Sequence, residues 1–452
     1  MGGETIMQDI KKQSPDLQNG RARLSRRAFV AASVASAALP LNSSRGVWAA
    51  DSENVIRVGF VSPRTGNLGF FGESDGYLID LCRKAHKEGL QVGGKTYKID
   101  LLDRDSQSDP ARAGQLAKSL ITDDKIDFML VTSTPEVVNP VADACEAAGV
   151  PCLSTVMPWE AWYYGRGAKP GQPSPFKWTF HFSFGGAEFA GTYVAEWGLI
   201  PTNKKVGVMY PNDADGNAVR GFLPDAFKKA GFIVVDPGPF EDGTSDYSAQ
   251  IEVFKKEQCE IINALVLPPD FATFWRQAAQ QGITKIVKIA QPAKACGSVT
   301  EITALGQLGY NLCVCSPWNP AFPYKSPVTG MNSRELTDGY EKASGRQANQ
   351  QMGATMSELD AGFAALQATT NPLDKPALAK TISTLKTITT IGPVDFNVGP
   401  MPHVIATTKF VGTQYQKAKP GSKWKVEQVV IENSELPDVP LGSKVIPYNT
   451  GA

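Results

Sequence analysis

Histidine is scarce in this chain of 452 residues, which contains only His86, His181 and His403. A serine nucleophile ordinarily depends on a histidine as its general base, so few arrangements for nucleophilic catalysis remain. The sequence also lacks a G-x-G-x-x-G dinucleotide loop and a P-loop. These absences count against a hydrolase and against an enzyme that binds nucleotides through either motif.

An excess of either charge sign is also missing, because 45 Lys+Arg balance 45 Asp+Glu over the whole chain. No basic stripe stands out, and a nucleic-acid partner is therefore not indicated. The seven cysteines are an odd number and cannot all pair within one chain, and Cys313-Val314-Cys315 has the wrong spacing for a zinc knuckle. Cys82 and Cys145 fall on apolar helix faces, where we expect small buried hydrophobes. We predict no metal, no cofactor and no redox role.

The N-terminal segment combines a basic pair with a short apolar stretch. Arg26-Arg27 precede an alanine-rich run over residues 29–41, which is too short and too weakly apolar to anchor the chain in a membrane. The arginine pair resembles the twin-arginine (Tat) export signal, and the alternative is that the pair occurs by chance before an ordinary Sec signal or a signal anchor. We expect residues 1–50 to be a signal peptide, cleaved near Ala49 or Ala50, and the mature protein to lie in the periplasm.

From residue 51 onward, short apolar runs alternate with helical patterns. The alternation occurs twice, and the eight predicted strands cover residues 56–62, 98–103, 127–132, 151–155, 206–210, 233–235, 261–267 and 285–290. Such a β-α series is typical of a parallel sheet covered by helices. The sequence therefore predicts an α/β protein with two similar lobes.

The last third of the chain predicts how the lobes are connected. A helical block over residues 334–370 and 376–385 precedes a β-rich tail. If the helices return to one lobe and the strands to the other, the chain crosses between lobes three times. The predicted lobes are residues 51–180 with 318–390, and residues 181–317 with 391–452.

A glycine-rich loop follows the first predicted strand and admits two interpretations. Gly72-Glu73-Ser74-Asp75-Gly76 matches G-x-S-x-G, the nucleophile elbow of hydrolases. An elbow needs a strand directly before Gly72, however, whereas Gly66-Asn67-Leu68-Gly69 forms turns and Ser74 would lie in the first turn of a helix. We therefore expect a backbone cradle for a ligand.

The carboxyl ends of the predicted strands mark the expected binding region, because open parallel sheets bind ligands there. The corresponding segments are 62–72, 132–135, 154–159, 210–215, 268–270 and residue 291. A cleft between the lobes would be lined by all of them, including the glycine-rich loop.

Five segments together resemble the type I periplasmic substrate-binding proteins of ABC importers, in particular the leucine/isoleucine/valine-binding family. They are IRVGFVSPRTGNLGFFGE, LLDRDSQSDPARAGQLAKSLITDDKIDFMLV, NPVADACEAAGVPCLS, KVGVMYPNDADGN and TTIGPVDFN, and the resemblance spans about residues 55–415. It implies two Rossmann-like lobes with parallel sheets joined by a three-crossover hinge. It also implies a monomer without enzymatic activity that binds a small solute between the lobes and delivers it to ABC permease subunits in the inner membrane. An exported ligand sensor that reports to a signalling partner is the alternative, and an exported hydrolase is a more distant third.

The resemblance also implies ligand-binding positions: Phe71, Ser133, Thr134, Val156, Met157, Trp159, Asp215, Pro268, Asp270 and Gln291. Ser133 and Thr134 stand where the family holds the ligand's carboxylate, at the start of a helix. Gln291 stands where amino-acid binders use a glutamate to pair the ligand's ammonium. Either Asp215 or Asp270 replaces that glutamate, or the ligand has no amine.

Aromatic residues near the predicted cleft favour a flat or apolar ligand. They are Phe70, Phe71, Trp159, Trp162 and Trp318. Packing in the core or between the lobes is the alternative role for most of them. We therefore expect an amino-acid-like solute, an amide or an aromatic carboxylate.

Overall fold

The computed structural model of the protein describes residues 54–450. The first passage of the chain alternates strands with helices, as the sequence predicts. Its elements are β1 (Val55–Ser62), α1 (Asp75–Ala85), β2 (Leu90–Val92), β3 (Lys95–Asp105), α2 (Pro110–Thr122), β4 (Phe128–Thr132), α3 (Pro135–Ala148), β5 (Cys152–Thr155), α4 (Trp159–Tyr163) and β6 (Thr179–Ser183).

The second passage repeats the alternation, and a helical block and a β-rich tail follow it. The second passage consists of α5 (Gly186–Trp197), β7 (Lys205–Met209), α6 (Ala214–Arg220), α7 (Leu223–Lys229), β8 (Ile233–Val235), α8 (Ser248–Lys256), β9 (Ile261–Ala264), α9 (Pro268–Gln280), β10 (Ile289–Gln291), α10 (Val299–Ala304) and β11 (Leu312–Ser316). The remaining elements are α11 (Ser333–Ser344), α12 (Gln351–Ala368), α13 (Lys375–Ser383), β12 (Lys386–Thr389), β13 (Gly392–Asp395), β14 (Ile405–Thr407), β15 (Val411–Lys417) and β16 (Val426–Glu432).

Two seven-stranded sheets form the centres of the two lobes. The first has the order β14-β6-β5-β4-β1-β3-β2 and is parallel except for β2, which pairs antiparallel with β3. The second has the order β16-β15-β11-β10-β9-β7-β8, with β15 and β16 antiparallel at one edge. The chain passes between the sheets after β6, after β11 and after β14, so the predicted α/β fold with three crossovers is confirmed. None of the helices within residues 54–450 has both the length and the apolar character that crossing a bilayer requires.

Local sequence signals explain where the helices near the first sheet begin and end. Asp109 caps α2 by accepting a hydrogen bond from the amide of Arg112 at 2.6 Å, and Pro110 occupies the first helical position. Gly149 ends α3 in the left-handed conformation, with φ at 66°. Helices α2 and α3 pack against each other, and α3 begins directly after β4 ends.

The lobe boundaries predicted at 180/181 and 390/391 come too early in the chain. The residues of β6, Thr179–Ser183, belong to the first sheet, and Ile405–Thr407 pair with them in parallel. The second lobe therefore receives the tail only from β15 onward. The reason is that β14 and β15 belong to different sheets although only Thr408 to Phe410 separate them, so the sequence predicts one β-rich tail.

Candidate functional site

A cavity of about 70 Å³ lies between the carboxyl ends of the two parallel sheets. Segments that directly follow β4, β5, β6, β9 and β10 contribute to its wall, as do the crossovers. The lining residues are Phe71, Ser133, Thr134, Val156, Met157, Pro158, Phe184, Phe189, Asp215, Leu265, Ala293, Lys294, Val314, Cys315, Pro317, Gln350, Gln351 and Phe410. Both lobes therefore contribute to a single cavity.

The glycine-rich loop brings Phe71 to the cavity. Its backbone forms successive tight turns, in which the amide of Gly69 donates to Gly66 and the amide of Phe71 donates to Leu68. Gly66 has φ at 85°, a conformation that glycine adopts without strain. Ser74, by contrast, is buried at the N-cap of α1 and is not part of the cavity wall.

Three residues of the cavity wall have positive φ although they are not glycines. They are Ser133 at 128°, Val156 at 89° and Ala293 at 36°, which follow β4, β5 and β10. A β-branched residue such as Val156 is rarely found there, because its side chain crowds the backbone. Strained residues of this kind persist where the surrounding structure fixes them, and they concentrate at binding sites. All three strained residues line one cavity, which supports a functional role for that cavity.

His181 on β6 fixes the strained segment after β5. Its Nε2 lies 3.0 Å from the carbonyl oxygen of Met157 and its Nδ1 lies 2.9 Å from Ser154 Oγ. Burial lowers the pKa of His181 to about 3, so the ring is neutral. A neutral ring donates from one nitrogen only, which must be Nε2 because a carbonyl cannot donate. Since Nε2 is occupied and both side chains are fully buried, Ser154 and His181 do not form an accessible catalytic pair.

Four polar side chains of the cavity wall each carry a buried atom without a hydrogen-bond partner among the described residues. The atoms are Ser133 Oγ, Thr134 Oγ1, Asp215 Oδ1 and Gln351 Oε1. Leaving a buried polar group unpaired costs about 1–3 kcal/mol. Such groups are rare in native proteins, and a bound molecule that pairs with them recovers this free energy.

Lys294 lies against the same wall and contacts two carboxylates. Its Nζ lies 2.9 Å from Asp213 Oδ2 and 2.9 Å from Asp215 Oδ2. Burial raises the pKa of Asp215 to about 7, against the opposing effect of the Lys294 charge. Burial lowers the pKa of Lys294, but the carboxylates of Asp215, Asp213 and Glu136 outweigh burial and raise it overall. The lysine is therefore a cation whose charge the protein already balances.

Aromatic rings form the apolar side of the cavity. The rings of Phe184, Phe189 and Phe410, which come from two crossovers, have centroids 4.3–5.0 Å apart. Phe71 from the first lobe adds a fourth ring to the wall. These rings offer apolar contact to the body of a small molecule.

The periplasmic binding protein family model matches residues 55–415 of the chain. The chain belongs to the periplasmic binding protein family. A solute-binding protein of an ABC transporter from Rhodopseudomonas palustris, in complex with 3,4-dihydroxybenzoic acid, has 18% identity and a TM-score of 0.67, covering 87% of this chain and 98% of that one. A leucine-binding protein from Thermotoga maritima has 19% identity and a TM-score of 0.67, covering 84% and 99%.

An uncharacterised protein of Methanocaldococcus jannaschii is 23% identical over 202 residues, 44% of this chain and 46% of that protein. The match thus spans about half the length of this curated relative. The solved structures share the two-lobed architecture. The resemblance to type I periplasmic binding proteins that the five segments predict is confirmed.

Six of the ten positions that the family resemblance predicts line the cavity: Phe71, Ser133, Thr134, Val156, Met157 and Asp215. The other four do not reach its wall. Trp159 packs its indole against Gly185 at the first crossover, and Pro268 begins α9. Asp270 accepts hydrogen bonds from the Gly243 amide at 2.9 Å and the Tyr247 hydroxyl at 2.8 Å.

Gln291, which the family resemblance predicts to bind the ligand, does not line the cavity of this periplasmic binding protein. It is fully buried in the second lobe, where its Oε1 accepts from Trp197 Nε1 at 2.7 Å and its amide donates to Glu196. The cavity instead receives Lys294, three residues later, from a short 3-10 turn after β10. Sequence reasoning also missed Phe184 and Phe410, although Phe184 directly follows a strand of the first sheet.

Proposed function

We propose that the protein is the solute receptor of an ABC importer. It binds a small solute in the cavity between the lobes and delivers it to permease subunits in the inner membrane. The observation that carries this proposal is the cavity wall itself, where four residues that each hold a buried polar atom without a partner lie beside a cluster of aromatic rings. Such a combination of a few placed polar groups and apolar surface is typical of small-molecule sites.

The solute belongs to the range that extends from amino acids and amides to small aromatic compounds. The similar proteins include a leucine-binding protein and one in complex with 3,4-dihydroxybenzoic acid, which supports this range. The cavity of about 70 Å³ is smaller than the roughly 150 Å³ in which an apolar cavity holds benzene. A ring-sized solute therefore requires the lobes to open and close around it by a hinge motion.

The glycine-rich loop acts in this proposal as part of the cradle and not as an elbow for a nucleophile. Ser74 Oγ has no partner within the described residues, and His86 is engaged elsewhere. The Nδ1 atom of His86 lies 3.0 Å from the Cys82 carbonyl oxygen, and its ring stacks on Phe363. We therefore propose that the protein is not an enzyme.

Export to the periplasm remains part of the proposal. The predicted twin-arginine signal lies in residues 1–50, outside the described residues. All seven cysteines lie in the described part of the chain, where they are buried and unpaired. Free thiols are typical of chains that fold in a reducing compartment, which fits folding before export.

A thermal-shift screen of the mature protein tests the proposed function. A solute at a hundredfold excess over its dissociation constant should stabilise the native state by about 2.7 kcal/mol. The library should contain amino acids, amides, amines and aromatic acids. If no member raises the melting temperature, the receptor function is contradicted.

A further inference from the structure

We propose that the cavity selects a solute with a cationic, hydrogen-bond-donating head group on an apolar body, and that it discriminates against simple carboxylates. This inference rests on the proposed function and specifies its substrate class. It follows from the charge of the polar wall, from the residues there whose buried polar atoms lack partners and from helix α3, whose N-cap is Thr134.

The polar wall is acidic after its internal ion pairs are formed. Among the described residues, the charged groups that line it are Lys294 and Asp215, and Asp213 contacts Lys294. The carboxylates of Glu136 and Asp242 add negative charge that acts electrostatically on this group. Lys294 already contacts two of the carboxylates at 2.9 Å. An anionic head group would meet net negative charge there, whereas a cationic one would complete the pairing.

Hydrogen-bond donors on the solute would pair the buried polar atoms that lack partners in this wall. Asp215 is 5% exposed and Gln351 is 6% exposed, and their Oδ1 and Oε1 atoms are buried without a hydrogen bond. A carboxylate oxygen and an amide oxygen can only accept, while the hydroxyls of Ser133 and Thr134 can accept or donate. An ammonium or amidinium group supplies N–H donors to these oxygens, and a carboxylate supplies none.

The start of α3 would otherwise favour an anion, but the chain supplies that anion itself. Glu136 lies in the first turn of α3, where a carboxylate interacts favourably with the helix dipole. Glu136 lies two residues after Thr134, the lining residue that is the N-cap of α3, and its carboxylate raises the pKa of both Lys294 and Asp215. A ligand carboxylate at Thr134 would therefore compete with Glu136.

The aromatic side of the cavity suits the body of such a solute. Phe71 and the rings of Phe184, Phe189 and Phe410 present apolar surface next to the polar wall. A cation over an aromatic face also gains favourable interaction with the ring quadrupole. The charge preference and the apolar preference therefore apply to one molecule.

Calorimetric titration with three probes of nearly equal shape tests the charge preference. Benzamidine, benzamide and benzoate carry a positive, a neutral and a negative head group on the same ring. We expect benzamidine to bind at least about tenfold more tightly than benzoate, with benzamide between them. Acetamidine, acetamide and acetate repeat the comparison without the ring, which suits the small volume of the cavity. Benzoate or acetate binding as tightly as its amidine would overturn the inference.

The outcome of the library screen separates this inference from the proposed function. If the probes do not bind but the screen yields a solute, a cationic solute supports the inference and an anionic one overturns it, while the receptor function stands in both cases. If no molecule of any charge binds, the receptor function itself fails.

Asp215→Asn tests the residue assignment, because it keeps the side-chain shape and removes the charge. We expect the preference for benzamidine over benzamide to be largely lost, while benzamide binding changes little. Asp225→Asn is the matched control, because the Asp225 side chain is exposed on α7. It should leave the affinities for all three ring probes unchanged. If Asp215→Asn fails to fold, Asp242→Asn is the second variant, because Asp242 is exposed. It should also lower the preference for benzamidine over benzamide. An unchanged preference in the folded variant contradicts the assignment.

Discussion

Asp215 is the residue through which the site would respond to pH. Burial raises its pKa to about 7, with Glu136 and Asp213 raising it further and Lys294 lowering it. These are the charged groups that act on it from α3, α6 and the turn after β10. Near neutral pH the carboxyl group therefore exists in both forms, and only the ionised form offers a full charge to a cation.

Cation binding should therefore strengthen as the pH rises. A cation that prefers ionised Asp215 releases its proton on binding, so affinity is low below the pKa and reaches a plateau above it. The dissociation constant of benzamidine should fall about tenfold between about pH 6 and about pH 8, because the amidinium stays charged throughout. Titration calorimetry at several pH values measures this. A flat profile in the wild type, or the same slope in Asp215→Asn, would contradict the role of Asp215.

The position of Lys294 shows what the sequence could not predict at the residue scale. A family resemblance aligned Gln291 with the cavity, but β10 ends there with its side chain directed at Trp197. The turn that follows contains Ala293 with φ at 36°, and this turn brings Lys294 to the wall. Its partners Asp213 and Asp215 lie about eighty residues earlier in the chain, so no local pattern reveals the ion pairs.

The crossovers are held by close packing between elements, and the contact of α12 with Trp318 is an example. Trp318 follows β11, is 1% exposed and donates from Nε1 to Ser333 Oγ at 3.0 Å. Its ring lies directly against Gly353, where an added Cβ would clash with it. Gln350 and Gln351, at the start of α12, line the cavity. The contact therefore positions part of the site as well as the second crossover.

Gly353→Ala should destabilise the protein by about 1–3 kcal/mol, because the methyl group forces the buried Trp318 ring to move. Gly191→Ala is the matched control, since Gly191 is exposed in α5 with open space around it. The control should stabilise by about 0.5–1 kcal/mol, as expected for removing a glycine from a helix interior. Urea unfolding of both variants measures the difference. A Gly353→Ala variant as stable as the wild type would show that the ring contact does not hold the crossover.

Among the helices and strands, those with regular apolar periodicity could be predicted from the sequence, whereas short elements in interrupted segments could not. The capping signals of Asp109 and Gly149 predict α2 and α3 correctly. The segment 157–182 is rich in proline and aromatic residues and has no regular apolar periodicity, yet it contains α4 and the start of β6. Residues 214–229, which a sequence pattern alone would join into one helix, are divided into α6 and α7 near Gly221. Tertiary packing decides these short elements, because their own residues give weak local signals.

As a whole, the molecule consists of two sheets whose strand ends meet at one cavity. Helix α3 of the first lobe contacts α6 of the second, α2 packs against α3, and α7 packs against α6. Hinge motion about the three crossovers would change the separation of α2 and α7. The seven native cysteines are all buried, so cysteines introduced at exposed positions can be labelled selectively.

Fluorescence energy transfer between labels at Lys118→Cys on α2 and Lys228→Cys on α7 tests the central claim most directly. The claim is that a solute binds between the lobes and closes them. Titrating the solute with the largest thermal shift should shorten the distance between the labels in one saturable step. Phe71→Ala should weaken that step by about 1–3 kcal/mol through lost aromatic contact, while Ser74→Ala leaves the midpoint within about twofold. A solute that binds without changing the distance, or a midpoint that responds to Ser74 and not to Phe71, would contradict the account.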